Sequence, residues 1–103
     1  MKFRYESNRI YVLDDEGKQI VNGTFPWEKE GVANVNHTFV DPSLRGQGIA
    51  SKLMHEIYNY AKENSFKLVA TCPYAVVWFK KNPDKMDIID AKTQATLNPE
   101  CLI

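Results

Sequence analysis

Arg45-Gly46-Gln47-Gly48-Ile49-Ala50-Ser51 sets a guanidinium and two glycines between a strand-like run and a helix-like one. Glycine lets a backbone approach a ligand closely and adopt conformations closed to other residues. The first turn of a helix leaves several N–H groups unpaired, and the peptide dipoles add partial positive charge there. Such a place suits an anion, most naturally a phosphate, with Arg45 supplying a full charge and Ser51 a hydroxyl donor one turn in. Two other phosphate motifs do not fit. The Walker pattern needs Lys-Ser/Thr after its last glycine, where this chain has Ile49-Ala50. The dinucleotide fingerprint needs three spaced glycines and an acidic residue about 20 positions further on. A loop that merely turns the chain would use the same glycines, so the neighbouring residues have to decide.

Cys72 is a second place for chemistry. It follows "FKLVAT" and precedes Pro73-Tyr74, where proline suits a first helical position. A thiol at a helix N-terminus is a good nucleophile, because the helix favours its thiolate; an inert cysteine buried at a strand end has the same sequence context. His37 falls on one strand face with Val35 and Phe39, toward the end of that strand. A base that takes a proton from an amine or from Cys72 would stand there, as would a hydrogen-bonded core histidine. His55 lies on the polar side of a helix and is expected to be solvated. Trp78 and Phe79 are helical neighbours that point in different directions, so at most one faces a cleft. Lys80, Lys81 and Lys85 make a small basic run at a helix end.

The elements that must position these residues are readable in outline. "FRYES" and "RIYVLDDEGKQIVNGTF" predict two or three short antiparallel strands, with Asp14-Asp15-Glu16-Gly17 as a hairpin turn. "VANVNHTFV" predicts one further strand, with Ala33, Val35, His37 and Phe39 on one face and Asn34, Asn36 and Thr38 on the other. From Gly48 the period changes. Ile49, Leu53, Ile57 and Ala61 recur every four residues opposite Lys52, Glu56, Asn59 and Glu63, an amphipathic helix ending near Asn64-Ser65. "FKLVAT" predicts a strand, "YAVVWFKK" a shorter helix stopping before Asn82-Pro83, and "DIID" a last strand in a weakly patterned tail. The fold class is mixed α/β on a mostly antiparallel sheet. The strands flanking the long helix should be parallel neighbours, since a helical crossover joins them.

With 103 residues, 44% of them hydrophobic and 25% charged, the chain reads as one soluble domain, 1–103. Thirteen basic against 13 acidic residues leave no basic excess, which argues against nucleic acid as an obligate partner. "MKFRYESNRI" lacks the apolar core of a signal peptide, and no stretch approaches the roughly 20 apolar residues of a membrane span. A cytoplasmic location without membrane association is the expectation. Cys72 and Cys101 show no metal-binding spacing, so no metal and free thiols are expected.

Arg45 to Ala50 matches R-x-x-G-x-A, and with Val40-Asp41-Pro42 before it resembles the acetyl-CoA pyrophosphate loop of the GNAT superfamily of N-acyltransferases. The resemblance runs from about Val35 to Asn82. "YAVVWFKKN" is similar to the superfamily's later cofactor-binding helix, with Asn82-Pro83 in place of its usual Gly-Phe. "HTFVDPSLRGQGIA" and the "TCxYA" segment at Thr71 to Ala75 resemble a small, minimal GNAT-like group of acetyltransferases. That resemblance implies an acetyl-CoA-binding domain with one reactive cysteine, Cys72, at the end of the strand between the two helices. It assigns main-chain groups around Phe39 and Val40 to the pantetheine arm of coenzyme A, and Arg45, Gly46, Gln47, Gly48, Ile49, Ala50 and Ser51 to the pyrophosphate. Tyr74, Ala75 and Phe79 would line the other side of the cleft, with Tyr74 as proton donor to the leaving thiolate. The implied activity is acetyl transfer from acetyl-CoA to an amine, directly or through acetyl-Cys72. Two other readings use the same residues: an acyl-CoA-binding module without turnover, and a Cys/His hydrolase or redox protein needing no coenzyme A. Set against the superfamily pattern, the segments that usually build its acceptor pocket are expected to be short or absent, which leaves that pocket open or completed by a partner.

Overall fold

The computed structural model describes residues 1–97. Three strands open the chain, β1 (Arg4–Glu6), β2 (Arg9–Leu13) and β3 (Gln19–Thr24), paired antiparallel. Asp14 makes the β2–β3 turn by accepting at Oδ1 from the N–H groups of Glu16 and Lys18, at 2.9 and 2.8 Å. Gly17 closes it at φ +83°, in the left-handed region.

"VANVNHTFV" forms two strands rather than one. After β4 (Trp27–Lys29), which the charged segment around it had hidden, β5 (Val32–Val35) and β6 (His37–Val40) are separated at Asn36. Their partners differ. β6 pairs antiparallel with β3, giving a sheet of order β1-β2-β3-β6. β5 lies between β4 and β7 (Lys67–Ala70) in a second sheet, antiparallel to β4 and parallel to β7. The expected parallel pair around a helical crossover therefore holds for β5 and β7, while β6 carries the same chain into the other sheet. Asn36 sits at the crossing, its N–H on the Thr24 carbonyl at 3.3 Å and its Oδ1 accepting from Thr24 Oγ1 at 2.6 Å. Strand twist makes two such sheets diverge, and the divergence opens a wedge beside β6.

The crossover is α1 (Ile49–Glu63), capped by Gly48 at its start and Asn64 at its end. Its apolar stripe, Ile49, Leu53, Met54, Ile57 and Ala61, is buried against the first sheet. The close approach depends on Gly23 of β3. A Cβ at that position would stand 2.9 Å from Ile57 Cδ1 and 3.2 Å from both Leu53 methyls.

Past β7, α2 (Pro73–Lys81) follows with proline in its first turn, as expected, and ends at Asn82. The tail departs from expectation. Asp87 and Ile88 of "DIID" end a 3-10 segment over Pro83–Ile88, and Ile89 makes a single parallel bridge to Leu68, so no strand forms there. A further helix, α3 (Ala91–Leu97), comes next. Its Gln94 is buried, and its amide donates to the Ala70 carbonyl at 2.8 Å and accepts from the Ala70 N–H at 2.6 Å. One side chain thus does for the β7 edge what a neighbouring strand would do, so no strand is required there. Cys101 lies outside the described residues.

Candidate functional site

Strands β5 and β7 of the second sheet are last joined at the Val35 carbonyl, which accepts from the N–H groups of both Thr71 and Cys72, at 3.2 and 3.1 Å. Beyond it one chain turns into α2 and the other continues as β6. β6 is therefore a sheet edge on its far side. The Asp41 N–H donates to the Ile20 carbonyl at 2.8 Å, which sets the phase of the antiparallel ladder. Phe39 then exchanges main-chain hydrogen bonds with Asn22, and the main-chain groups of Thr38 and Val40 point toward the open edge. Of the main-chain groups around Phe39 and Val40, those of Thr38 and Val40 are the ones on the open side, and Phe39 lines the cleft beside them. Ladder alternation fixes this, and sequence alone does not carry its phase.

Asp41 starts the loop after β6. Its carboxylate accepts from the Ser43 N–H and hydroxyl at 3.0 and 2.7 Å, holding the 3-10 turn Pro42–Leu44. These bonds, helped by Lys18, hold its carboxyl below the ordinary carboxylate value. Gly46 and Gly48 follow at φ +84° and +73°. A Cβ at either would meet nothing within 4 Å, so left-handed backbone rather than crowding asks for glycine. Gly48 is the N-cap of α1 and provides no side-chain cap. The amides of the first turn are left for a ligand.

This end of α1 and the free edge of β6 open on one cleft of about 320 Å³. Thr38, Phe39 and Val40 form one wall, Leu44 to Gly46 and Gly48 to Ser51 the end at the start of α1, and Tyr74 of α2 the other wall. Arg45 is the one charged side chain among these lining residues. Its Nε makes a long contact, 3.4 Å, with the Val40 carbonyl, and the side chain is exposed. Burial raises the Tyr74 phenol above its ordinary value.

The remaining candidates are placed less directly. Cys72 is the N-cap residue of α2 and 7% exposed; its Sγ lies 3.4 Å from Thr38 Oγ1, behind the cleft wall. Successive side chains of a strand alternate in direction, so with Thr38 turned to Cys72, His37 points to the other face. His37 is exposed, not on a buried face with Val35, because the strand breaks at Asn36. It does not line the cleft and is not placed to take a proton from Cys72. Gln47 is exposed and also outside the lining. Ala75 and Phe79 are fully buried in the core and present no surface to the cleft. Trp78 is the member of the aromatic pair that reaches toward the site: its Nε1 donates to Ser51 Oγ at 3.0 Å. Lys80 and Lys81 sit at the opposite end of α2 from Tyr74, and Lys85 lies over the Tyr58 ring, 5.0 Å from its centroid. Among the described residues there is no cluster of His, Cys, Asp and Glu able to hold a metal, and no helix is long and apolar enough to cross a membrane.

Residues 9–88 match the family described as GCN5-related N-acetyl-transferase. The chain belongs to that family. Its structure is similar to the solution structure of a GCN5-like protein of Staphylococcus aureus, with a TM-score of 0.72, 28% identity, and coverage of 85% of this chain and 86% of that one. It also resembles Tetrahymena GCN5 in fold, with a TM-score of 0.59 and 21% identity over 71% of this chain and 48% of that one. An uncharacterised N-acetyltransferase of Methanocaldococcus jannaschii is 40% identical over 42 residues, 41% of this chain. The match spans only 19% of that relative's length. Membership of this acetyltransferase family, and the mixed α/β fold shared with these structures, accord with the loop and crossover read from the sequence.

Proposed function

We propose that this protein is an acetyl-CoA-dependent N-acetyltransferase that binds coenzyme A in the cleft between β6 and α2. The observation that carries the proposal is the opening of an uncapped helix N-terminus with Arg45, and of an unpaired strand edge, onto the same space. A diphosphate suits the first and an amide-bearing pantetheine arm the second, in the manner of an added strand. The linear order then puts the thioester near Tyr74 and the β6 edge. An amine attacks the thioester carbon, a C–N bond forms, and the oxygen's developing charge is met by a main-chain N–H donor of the β6 edge. The C–S bond breaks, the coenzyme A sulfur takes a proton from Tyr74, the amine gives up its own proton to solvent, and Tyr74 regains one from solvent.

A two-step route through Cys72 has one observation in its favour, the contact of Sγ with Thr38 of the cleft wall. There the thiol attacks the thioester, its proton ends on the departing coenzyme A sulfur, and an amine later takes the acetyl group and restores the thiol. Burial of Sγ behind Thr38 favours the direct route.

Intact-protein mass spectrometry after incubation with acetyl-CoA, in denaturing and native modes, tests both. A non-covalent complex together with amine-dependent release of free coenzyme A thiol is expected. An acetyl adduct on the wild type that Cys72→Ala lacks would establish the two-step route. Absence of both complex and adduct would end the coenzyme A reading.

A further inference from the structure

Ser51 is in the first turn of α1 and lines the cleft, while Trp78 is in α2, is 4% exposed and is held edge-on between the His55 and Phe79 rings at 5.1 Å from each. Trp78 Nε1 donates to Ser51 Oγ at 3.0 Å. An indole N–H has no acceptor capacity, so the direction of this bond is not open to choice: the serine oxygen accepts. A serine hydroxyl has one hydrogen, and near a helix start it commonly turns that hydrogen back to a main-chain carbonyl. Among the described residues, Ser51 Oγ donates to no protein acceptor. With one lone pair committed to the indole, the hydrogen is left for whatever occupies the cleft beside the free amides of the same turn.

We infer that Trp78 is a positioning residue for anion binding: it holds Ser51 as a hydrogen-bond donor to the diphosphate of coenzyme A. The inference rests on the coenzyme A reading above and adds the residue that selects the serine's role. It also ties the end of the cleft to α2, because the bond joins the start of α1 to the middle of that helix. A phosphoryl oxygen offers lone pairs to a hydroxyl so fixed, whereas a ligand group that needs an acceptor at Ser51 is disfavoured.

The test compares coenzyme A with S-acetylpantetheine, which lacks the diphosphate, by titration calorimetry on wild type, Ser51→Ala, Trp78→Phe and the double variant. Ser51→Ala is expected to weaken coenzyme A by about tenfold, and Trp78→Phe, which keeps a ring and loses the N–H, by about threefold to tenfold. The double variant should bind no more weakly than Ser51→Ala alone, because both changes remove one interaction. S-acetylpantetheine should bind all four proteins alike. A Trp78→Phe protein with unchanged coenzyme A affinity overturns the inference, as do losses that multiply in the double variant or a parallel loss for S-acetylpantetheine. NMR gives a check that does not need Trp78 replaced. The Trp78 indole N–H resonance should move in Ser51→Ala and on adding coenzyme A, while that of Trp27, the chain's other tryptophan and 54% exposed, serves as the reference. A Trp78 signal unmoved in Ser51→Ala overturns the inference. A wild type that does not bind coenzyme A overturns the functional reading itself, a result distinct from any of these.

Discussion

Replacing Gly48 by alanine isolates backbone strain from crowding. The residue caps α1 at φ +73°, and a methyl group there would touch nothing within 4 Å. What remains is the left-handed conformation, which costs an L-residue about 1–2 kcal/mol. Alanine also restricts the unfolded chain, which offsets roughly 0.4–1 kcal/mol of that. A net loss of about 1 kcal/mol is expected, and for a domain of this size that lowers the melting temperature by about 4–8 °C. Gly48→Asn is the control, because asparagine visits the left-handed region more readily than alanine. Its expected loss is about half as large. Thermal unfolding followed by circular dichroism, with urea midpoints at constant m-value, measures both. An alanine variant as stable as wild type, or an asparagine variant less stable than the alanine one, would refute the account of this loop as glycine-dependent through its backbone angles.

The opposite case is Gly23→Ala, where φ is ordinary and the Cβ would crowd Ile57 Cδ1 at 2.9 Å; a loss of about 1–3 kcal/mol is expected by chemical denaturation, and Ile57→Val should recover part of it. Arg45→Ala should weaken coenzyme A binding by about tenfold or more in calorimetry, the scale of a hydrogen bond to a charged group, with little change in melting temperature. Asp41 gives a pH prediction. Its carboxyl is held below the ordinary value of 3.8 in the folded state, so its contribution to stability is full above that value and is lost as pH falls through the lowered one. Asp41→Asn should therefore flatten the acid side of a melting-temperature profile and leave the neutral-to-alkaline side parallel to wild type.

The helix α1, the turn at Asp14 to Gly17 and the loop from Arg45 to Ser51 were legible because each is local. Ile49, Leu53, Ile57 and Ala61 announce a buried stripe by their spacing, and all four are buried. Gly46 and Gly48 advertise backbone angles that other residues resist, and both adopt them. The sequence also presents Ser51, Arg45 and Tyr74 as candidates, and the fold gathers them on one cleft.

What lay beyond the sequence depended on segments far apart in it. The alternation of "VANVNHTFV" runs unbroken through Asn36, yet β5 and β6 belong to different sheets. A strand's own pattern reports which residues are apolar, not which remote strand supplies its hydrogen bonds. From that break follow the exposure of His37, the open edge at Thr38 and Val40, and the wedge that makes the site. Trp78 and Phe79 are equally apolar neighbours, and only the position of α1 beside α2 decides that the first reaches Ser51 and the second is sealed in the core. Gly23 and Gln94 are silent in the sequence for the same reason: one matters because α1 lies on it, the other because it completes the edge of β7. Local backbone preference and hydrophobic period travel with the residues themselves, whereas strand partners and helix seating are set by the whole chain at once.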